Sequence, residues 1–162
     1  MESFNVRRFE ELGITCPFVQ DNHSKSVKNT LRGLHYQVNR VQDKLVRVTQ
    51  GAIYDVAVDI RKGSPTYGQW TGVALSFENG KQLLVPRGFL HGFATLEPNT
   101  EVIYKCDNPY APECDGAVRF DDPDIGVDWQ IDSNKAILSD KDRVAPLLRD
   151  FDSPFTYEES NT

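Results

Sequence analysis

Polar and apolar positions in this chain alternate with a period of two far more often than they recur at helical spacing. The clearest run is Ala52 to Ile60. There Ala52, Tyr54, Val56, Val58 and Ile60 fall on one face of a strand, with Asp55 and Asp59 on the other. The β pattern begins at Lys44 and continues through Trp70 to Phe77, Gln82 to Pro86, Gly92 to Leu96 and Glu101 to Cys106. Arg61 to Gly68 supplies turn residues, and Glu78-Asn79-Gly80 reads as a hairpin turn. Before this region, Arg7 to Gly13 predicts a helix of about two turns with a glycine stop. Phe18 to Asn22 predicts a strand running into a polar loop, Asn22 to Asn29. After Tyr110-Ala111-Pro112 the chain is richer in Asp, Pro and Gly, as expected of a loop-dominated return across the sheets. One short helix is expected between Lys141 and Leu148, interrupted or kinked at Pro146. Short strands without long amphipathic helices between them predict an all-β fold, an antiparallel sandwich or small barrel with short flanking helices.

The run Leu31-Arg32-Gly33-Leu34-His35-Tyr36-Gln37 reads as a strand entering a core, yet it carries a guanidinium and an imidazole three residues apart. Strict alternation puts Gly33 and His35 on one face and Arg32, Leu34 and Tyr36 on the other, unless a twist or bulge at Gly33 re-aims them. Such a pair is either packing and surface or a base beside an anion-binding group.

Composition narrows the choice. With no repeat, low-complexity tract or linker, the 162 residues predict a single domain over 1–162. A formal net charge of -6 argues against nucleic-acid binding, which draws on clustered Lys and Arg, but leaves room for a local basic cluster around a small anion. No run approaches the roughly 20 apolar residues of a membrane span, and Met1 to Asn5 lacks the character of a signal peptide, so the expected location is the cytoplasm. Cys16, Cys106 and Cys114 lack CxxC spacing and indicate neither a disulfide framework nor a zinc knuckle.

Gly80-Lys81-Gln82-Leu83-Leu84-Val85-Pro86-Arg87-Gly88-Phe89-Leu90-His91 has the spacing G-x5-P-x-G-x2-H. It resembles the second cupin motif, in which a strand, a Pro-Gly turn and an inward histidine form part of a barrel mouth. Many cupins bind metal through an H-x-H pair and a glutamate, but Tyr36 and Gln37 follow His35 and the chain holds no H-x-H. A metal-free barrel is therefore expected.

A more specific resemblance covers about Glu2 to Leu148. Gln20-Asp21-Asn22-His23-Ser24, Leu31 to Gln37, Val85 to Phe93, Tyr104-Lys105, Tyr110-Ala111-Pro112, Asp122 to Trp129 and Leu138 to Asp142 occur in order. Together they resemble the signatures of the dTDP-4-dehydrorhamnose 3,5-epimerase family. The resemblance implies an antiparallel cupin jelly roll, a homodimer, a dTDP-linked 4-keto-6-deoxy sugar as substrate, and no redox cofactor or metal. It further implies that His35 is the base and Asp142 its carboxylate partner, that Lys44 stabilises an enolate, and that Tyr104 donates a proton. By the same resemblance Glu2, Gln20, Asp21, Asn22, Arg32, His91, Tyr110, Asp115 and Lys141 hold substrate, with Arg32 on the diphosphate. Taken singly, His35 and Arg32 read as structural residues, Lys44 as a solvated strand-end charge, Tyr104 as a core aromatic and Asp142 as a helix-start carboxylate.

The sequence departs from the family pattern in three places. Family members carry a further amino-terminal strand with a D-x-R-G turn, whose arginine contacts phosphate and whose strand commonly crosses to the partner subunit; lower activity is the corresponding expectation. Asp115 stands where glutamate is commoner, and Pro109 where an aromatic is common, which predicts altered nucleotide affinity or selectivity.

Overall fold

The computed structural model describes residues 1–158; of the domain expected over 1–162, positions 159–162 lie outside the described residues. Helix α1 (Val6–Glu11) begins with the Asn5 side chain accepting from Arg8 N–H and gives way to Gly13 at φ +80°, the glycine stop read from the sequence. Nine strands follow among the described residues: β1 (Gln20–Ser26), β2 (Leu31–Gln37), β3 (Lys44–Gln50), β4 (Ala52–Asp59), β5 (Trp70–Ser76), β6 (Gln82–Val85), β7 (Phe89–Thr95), β8 (Thr100–Cys106) and β9 (Asp115–Ala117). They form a four-stranded sheet in the order β1-β8-β3-β6 and a five-stranded sheet in the order β5-β4-β7-β2-β9. Every strand pairing is antiparallel. This is the all-β, cupin-type jelly roll expected.

Two apolar cores account for the arrangement. Val46, Val48 and Val102 of the four-stranded sheet meet Ile53, Leu75 and Phe93 of the five-stranded sheet, closing one end of the space between them. On the outer face of the five-stranded sheet, Leu31, Leu34, Val56, Val58 and Leu90 are covered by Val118, Phe120, Ile125 and Trp129 of the return segment. Strand β4 is therefore buried on both sides, and the face carrying Asp55 looks inward.

Three local expectations need correction. The polar loop expected over Asn22 to Asn29 is largely strand β1, paired residue for residue with β8 from Gln20↔Cys106 to Ser26↔Thr100. The strand expected from Phe18 begins at Gln20. The terminal helix is a single turn, α2 (Asp140–Arg143), followed by a separate 3₁₀ turn at Leu148–Asp150. Pro146 explains the break, because a proline disfavours helical backbone at the residue before it and has no N–H to donate.

A polar knot fixes the end of β4. The Asp59 carboxylate, 1% exposed, accepts from Arg61 Nε at 3.0 Å, Arg61 Nη2 at 2.7 Å, Ser64 Oγ at 2.6 Å and Thr66 Oγ1 at 2.7 Å. Burial raises its pKa, but these donors and the Arg61 N–H outweigh burial and hold the carboxyl well below the usual carboxylate range. A folded value below the unfolded one stabilises the protein above the unfolded pKa of about 3.9, and that contribution is lost as pH falls below it. Replacing Asp59→Asn is expected to cost about 3 kcal/mol at pH 7. In urea melts the gap between wild type and variant should narrow as pH is lowered through the acid range.

Candidate functional site

The sheets diverge around a cavity of about 410 Å³. Strand β2 brings two of its walls together. Its pairing with β7 runs Leu31↔Ala94 and Arg32↔Phe93, then shifts before His35↔His91. Gly33 sits in the irregularity at φ +132°, and a Cβ there would lie 2.6 Å from Gly92 Cα, so a side chain has neither the backbone freedom nor the room. With the register broken, Arg32 and His35 both line the cavity, which strict alternation forbids.

The remaining lining comes from both sheets. Asn22 and Ser24 (β1), Lys44 (β3) and Tyr104 (β8) face it from the four-stranded sheet. Gln37 (β2) and His91, Gly92 and Phe93 (β7) face it from the other sheet, with Gln42, Tyr110, Asp115 and Lys141 around them. Asp142 lies behind His35, 2% exposed, with its Oδ1 2.6 Å from His35 Nε2. Burial works to raise the Asp142 pKa, but the hydrogen bond and charge of His35, with donors from Ser139 and the Gly33 N–H, hold it below the ordinary aspartate value. An ionised carboxylate only accepts, so Nε2 donates to it, and in the neutral ring the lone pair is on Nδ1.

A second imidazole is held similarly, His91 Nε2 lying 2.7 Å from Asp55 Oδ1. Burial pulls Lys44 below the ordinary lysine value, while Cys106, Asp115 and Asp55 push the other way. Burial, and then Cys106, push the Tyr104 phenol up, with Arg32 opposing, so it stays protonated at neutral pH. The cavity thus presents a histidine lone pair on one wall and a lysine and a protonated phenol on the facing wall. Such a set can remove a proton from carbon, stabilise the resulting oxyanion and return a proton from the other side.

Of the residues proposed from sequence, His35, Lys44, Tyr104, Asn22, Arg32, His91, Tyr110, Asp115 and Lys141 line the cavity, and Asp142 supports it. Three stand elsewhere. Glu2 is exposed and pairs with Arg8 at 3.4 Å. Asp21 points outward to Lys105 at 2.9 Å, as alternation along β1 requires. Gln20 accepts from the Tyr110 N–H at 2.9 Å and donates to Asn22 at 3.1 Å, so it shapes the wall from behind. Sequence reading missed Ser24, Gln37, Gln42, Phe93 and Asp55. Period-two steps from Asn22, His35 and His91 reach Ser24, Gln37 and Phe93, and Asp55 stood out as a charge within an apolar strand. Among the described residues no group of three or more His, Cys, Asp or Glu is placed to hold a metal ion.

The family model of dTDP-4-dehydrorhamnose 3,5-epimerase matches residues 1–150. The chain belongs to the dTDP-4-dehydrorhamnose 3,5-epimerase family. The enzyme of that name from Salmonella typhimurium is 54% identical over 149 residues, 91% of this chain and 81% of its own length. That from Methanothermobacter thermautotrophicus is 52% identical over 151 residues, covering 93% of this chain and 82% of its own. The crystal structure of dTDP-6-deoxy-D-glucose-3,5-epimerase from Legionella pneumophila in complex with dTDP-4-keto-L-rhamnose superposes with a TM-score of 0.93. It is 49% identical, over 97% of this chain and 85% of that one.

Within this member of the epimerase family, Cys106 shares the inward face of β8 with Tyr104. Burial pushes its thiol up to about 11, leaving roughly one part in a thousand as thiolate at pH 8. Native protein treated with iodoacetamide at pH 8 should remain unmodified at Cys106, whereas urea-unfolded protein should be alkylated there, as read by peptide mass spectrometry.

Proposed function

We propose that this protein epimerises a dTDP-4-keto-6-deoxy sugar at C3 and C5, converting dTDP-4-dehydro-6-deoxy-D-glucose to dTDP-4-dehydro-L-rhamnose. Family membership supports the reaction. The observation that supports the mechanism is that a carboxylate-paired histidine and a protonated tyrosine stand on facing walls of one cavity.

The C4 ketone acidifies the C–H bonds on both neighbouring carbons. His35 Nδ1 takes one of these protons, and the new imidazolium is stabilised by Asp142. The electron pair moves onto the C4 oxygen, where the Lys44 ammonium stabilises the enolate. Tyr104 O–H then delivers a proton to the carbon from the opposite face, inverting it; before the next cycle the His35 imidazolium releases its proton to water and the phenolate takes one up from water. Neither step needs an electron acceptor.

Arg32, held by Ser26 Oγ at 3.2 Å, is the diphosphate anchor in this reading. His91 and Asn22 contact the sugar, while Tyr110, Asp115 and Lys141 at the mouth receive the nucleoside. Gln20 contributes by holding the Tyr110 backbone, and Glu2 and Asp21 are left without a contact to substrate within one subunit. The described residues act as one domain, and two copies form the working homodimer. The cytoplasm, where nucleotide-activated sugars are assembled, is the location this reading implies.

Incubation with dTDP-4-keto-6-deoxyglucose in deuterated water is expected to place label at both C3 and C5. Label at a single carbon would instead mark a one-position epimerase, and no label despite retained binding of the nucleotide sugar a silent binding module. His35→Asn should lower exchange by at least ~100-fold, the lower range for a positioned general base, with the melting temperature unchanged. Sedimentation should report twice the 18.3 kDa chain mass; a single-chain mass would refute the dimer.

A further inference from the structure

None of the side chains of the segment Asp122 to Trp129 lines the cavity. Its leading carboxylate is nonetheless among the most buried polar groups, with Asp122 1% exposed. Asp122 Oδ1 accepts from the N–H groups of Asp124 at 2.8 Å and Ile125 at 2.9 Å, closing a tight turn. That turn sends Ile125 and Trp129 into the core beneath β2 and β7, and Trp129 Nε1 donates to Phe120 O at 2.8 Å. The other oxygen, Oδ2, accepts from Leu148 N–H at 2.7 Å, 26 residues away.

Leu148 belongs to the same stretch of chain as Asp142. The helix that carries Asp142 has four residues, far too few to hold itself together, so its place is imposed from outside. Upstream, Ile137 O accepts from Leu31 N–H at 2.9 Å and Ile137 N–H donates to Asn29 O at 2.8 Å, joining the segment to the start of β2. Downstream, Arg119 N–H donates to Pro146 O at 2.9 Å, and Asp122 receives Leu148 N–H. Between these ties Val144 is 81% exposed, while Leu138 and Ala145 pack inward next to the two ends and Lys141 pairs with Asp115. The chain from 137 to 148 is thus a strap fastened at both ends, with Asp142 near its middle.

We infer that Asp122 is a positioning residue for proton abstraction, acting through the strap to hold Asp142 against His35. This rests on the reading of His35 and Asp142 as base and partner. The catalytic consequence is a loss in turnover with little change in substrate affinity, since the anchoring residues on β1, β2 and β7 are untouched and Lys141, the anchor on the strap, is kept at the mouth by its own ion pair with Asp115. The spectroscopic consequence is independent of turnover. With Asp142 fixed, His35 carries its proton on Nε2; with the strap slack, the neutral ring distributes it between both nitrogens.

Two variants test this. Asp122→Asn replaces the oxygen facing Leu148 N–H with a second donor. Leu148→Pro removes that N–H, and the backbone accepts it, because Leu147 at φ -76° and ψ 159° already has the extended conformation required before proline and residue 148 opens a 3₁₀ turn. Each should lower kcat about tenfold while KM changes less than about threefold. In ¹H–¹⁵N spectra of histidine-labelled protein, each should shift the His35 signals from the Nε2–H tautomer toward a mixture, as should Asp142→Asn. A variant that melts cooperatively and keeps both the wild-type kcat and the Nε2–H signature overturns the inference, even if its melting temperature has dropped. If instead Asp142→Asn shifts the tautomer without lowering kcat, the assignment of base and partner fails, while the mechanical link from Asp122 to Asp142 is still judged by the spectra.

Discussion

The 2.6 Å contact between His35 and Asp142 joins groups 107 residues apart, and the architecture around it makes that closeness possible. His35 is on a central strand of the five-stranded sheet, and Asp142 arrives from the segment that crosses the sheet's outer side. A sheet covered on both faces is needed for this arrangement: one face for the cavity, the other for the return segment. Leu31, Leu34, Val56, Val58 and Leu90 supply the apolar contacts that hold the return segment down. Burying Asp142 against an unpaired neighbour would be costly, so the imidazole that the carboxylate orients also compensates its own desolvation.

Several polar side chains around the entry to β3 are tied to backbone. Gln37, 4% exposed, donates to Arg40 O at 2.7 Å and accepts from Ala111 N–H at 2.9 Å. Gln42 donates to Asn108 O and Asn108 to Val41 O, each at 2.7 Å. Asp107 accepts from Asp43 N–H at 2.7 Å and from the Arg87 guanidinium. These bonds clamp the entry to β3 against the loop after β8, fixing Lys44 and Tyr110 at their roots. Among the described residues two buried side-chain atoms lack a hydrogen-bond partner, Ser24 Oγ and Asp55 Oδ2. An unmet buried polar atom costs on the order of 1–3 kcal/mol, and both belong to residues at or directly behind the cavity wall, where binding chemistry outweighs stability.

That polar interior decides what could be read from the sequence. Alternation located β4 because Val56 and Val58 differ sharply from Asp55 and Asp59. It failed at β1, where the inward positions Gln20, Asn22 and Ser24 are as polar as the outward Asp21, His23 and Lys25, and a strand with two polar faces looks like a loop. It also separated Arg32 from His35, because a register shift at one glycine carries no hydrophobic signature; the suspicion of a bulge came from Gly33 alone. The interruption at Pro146 was legible, but the helix stops earlier than expected, at Arg143, because one turn before a proline has little to sustain it. The dyad itself was recoverable through family resemblance, since nothing local ties Asp142 to His35. Asp21 shows the opposite error, a residue grouped with its neighbours although alternation turns it outward to Lys105.

The division of labour between the sheets has a mechanical corollary. His35 and His91 are on one sheet, Lys44 and Tyr104 on the other, so no strand sets the distance between base and acid. That distance is set by the inter-sheet core. Val46 stands opposite Tyr104 in the β3–β8 pairing and two residues from Lys44, and Phe93 is two residues from His91. Close-packed side chains transmit displacement rather than absorb it, and proton transfer to carbon tolerates little misalignment. The valines and Phe93 between the sheets therefore set the catalytic geometry as directly as the polar cavity residues do.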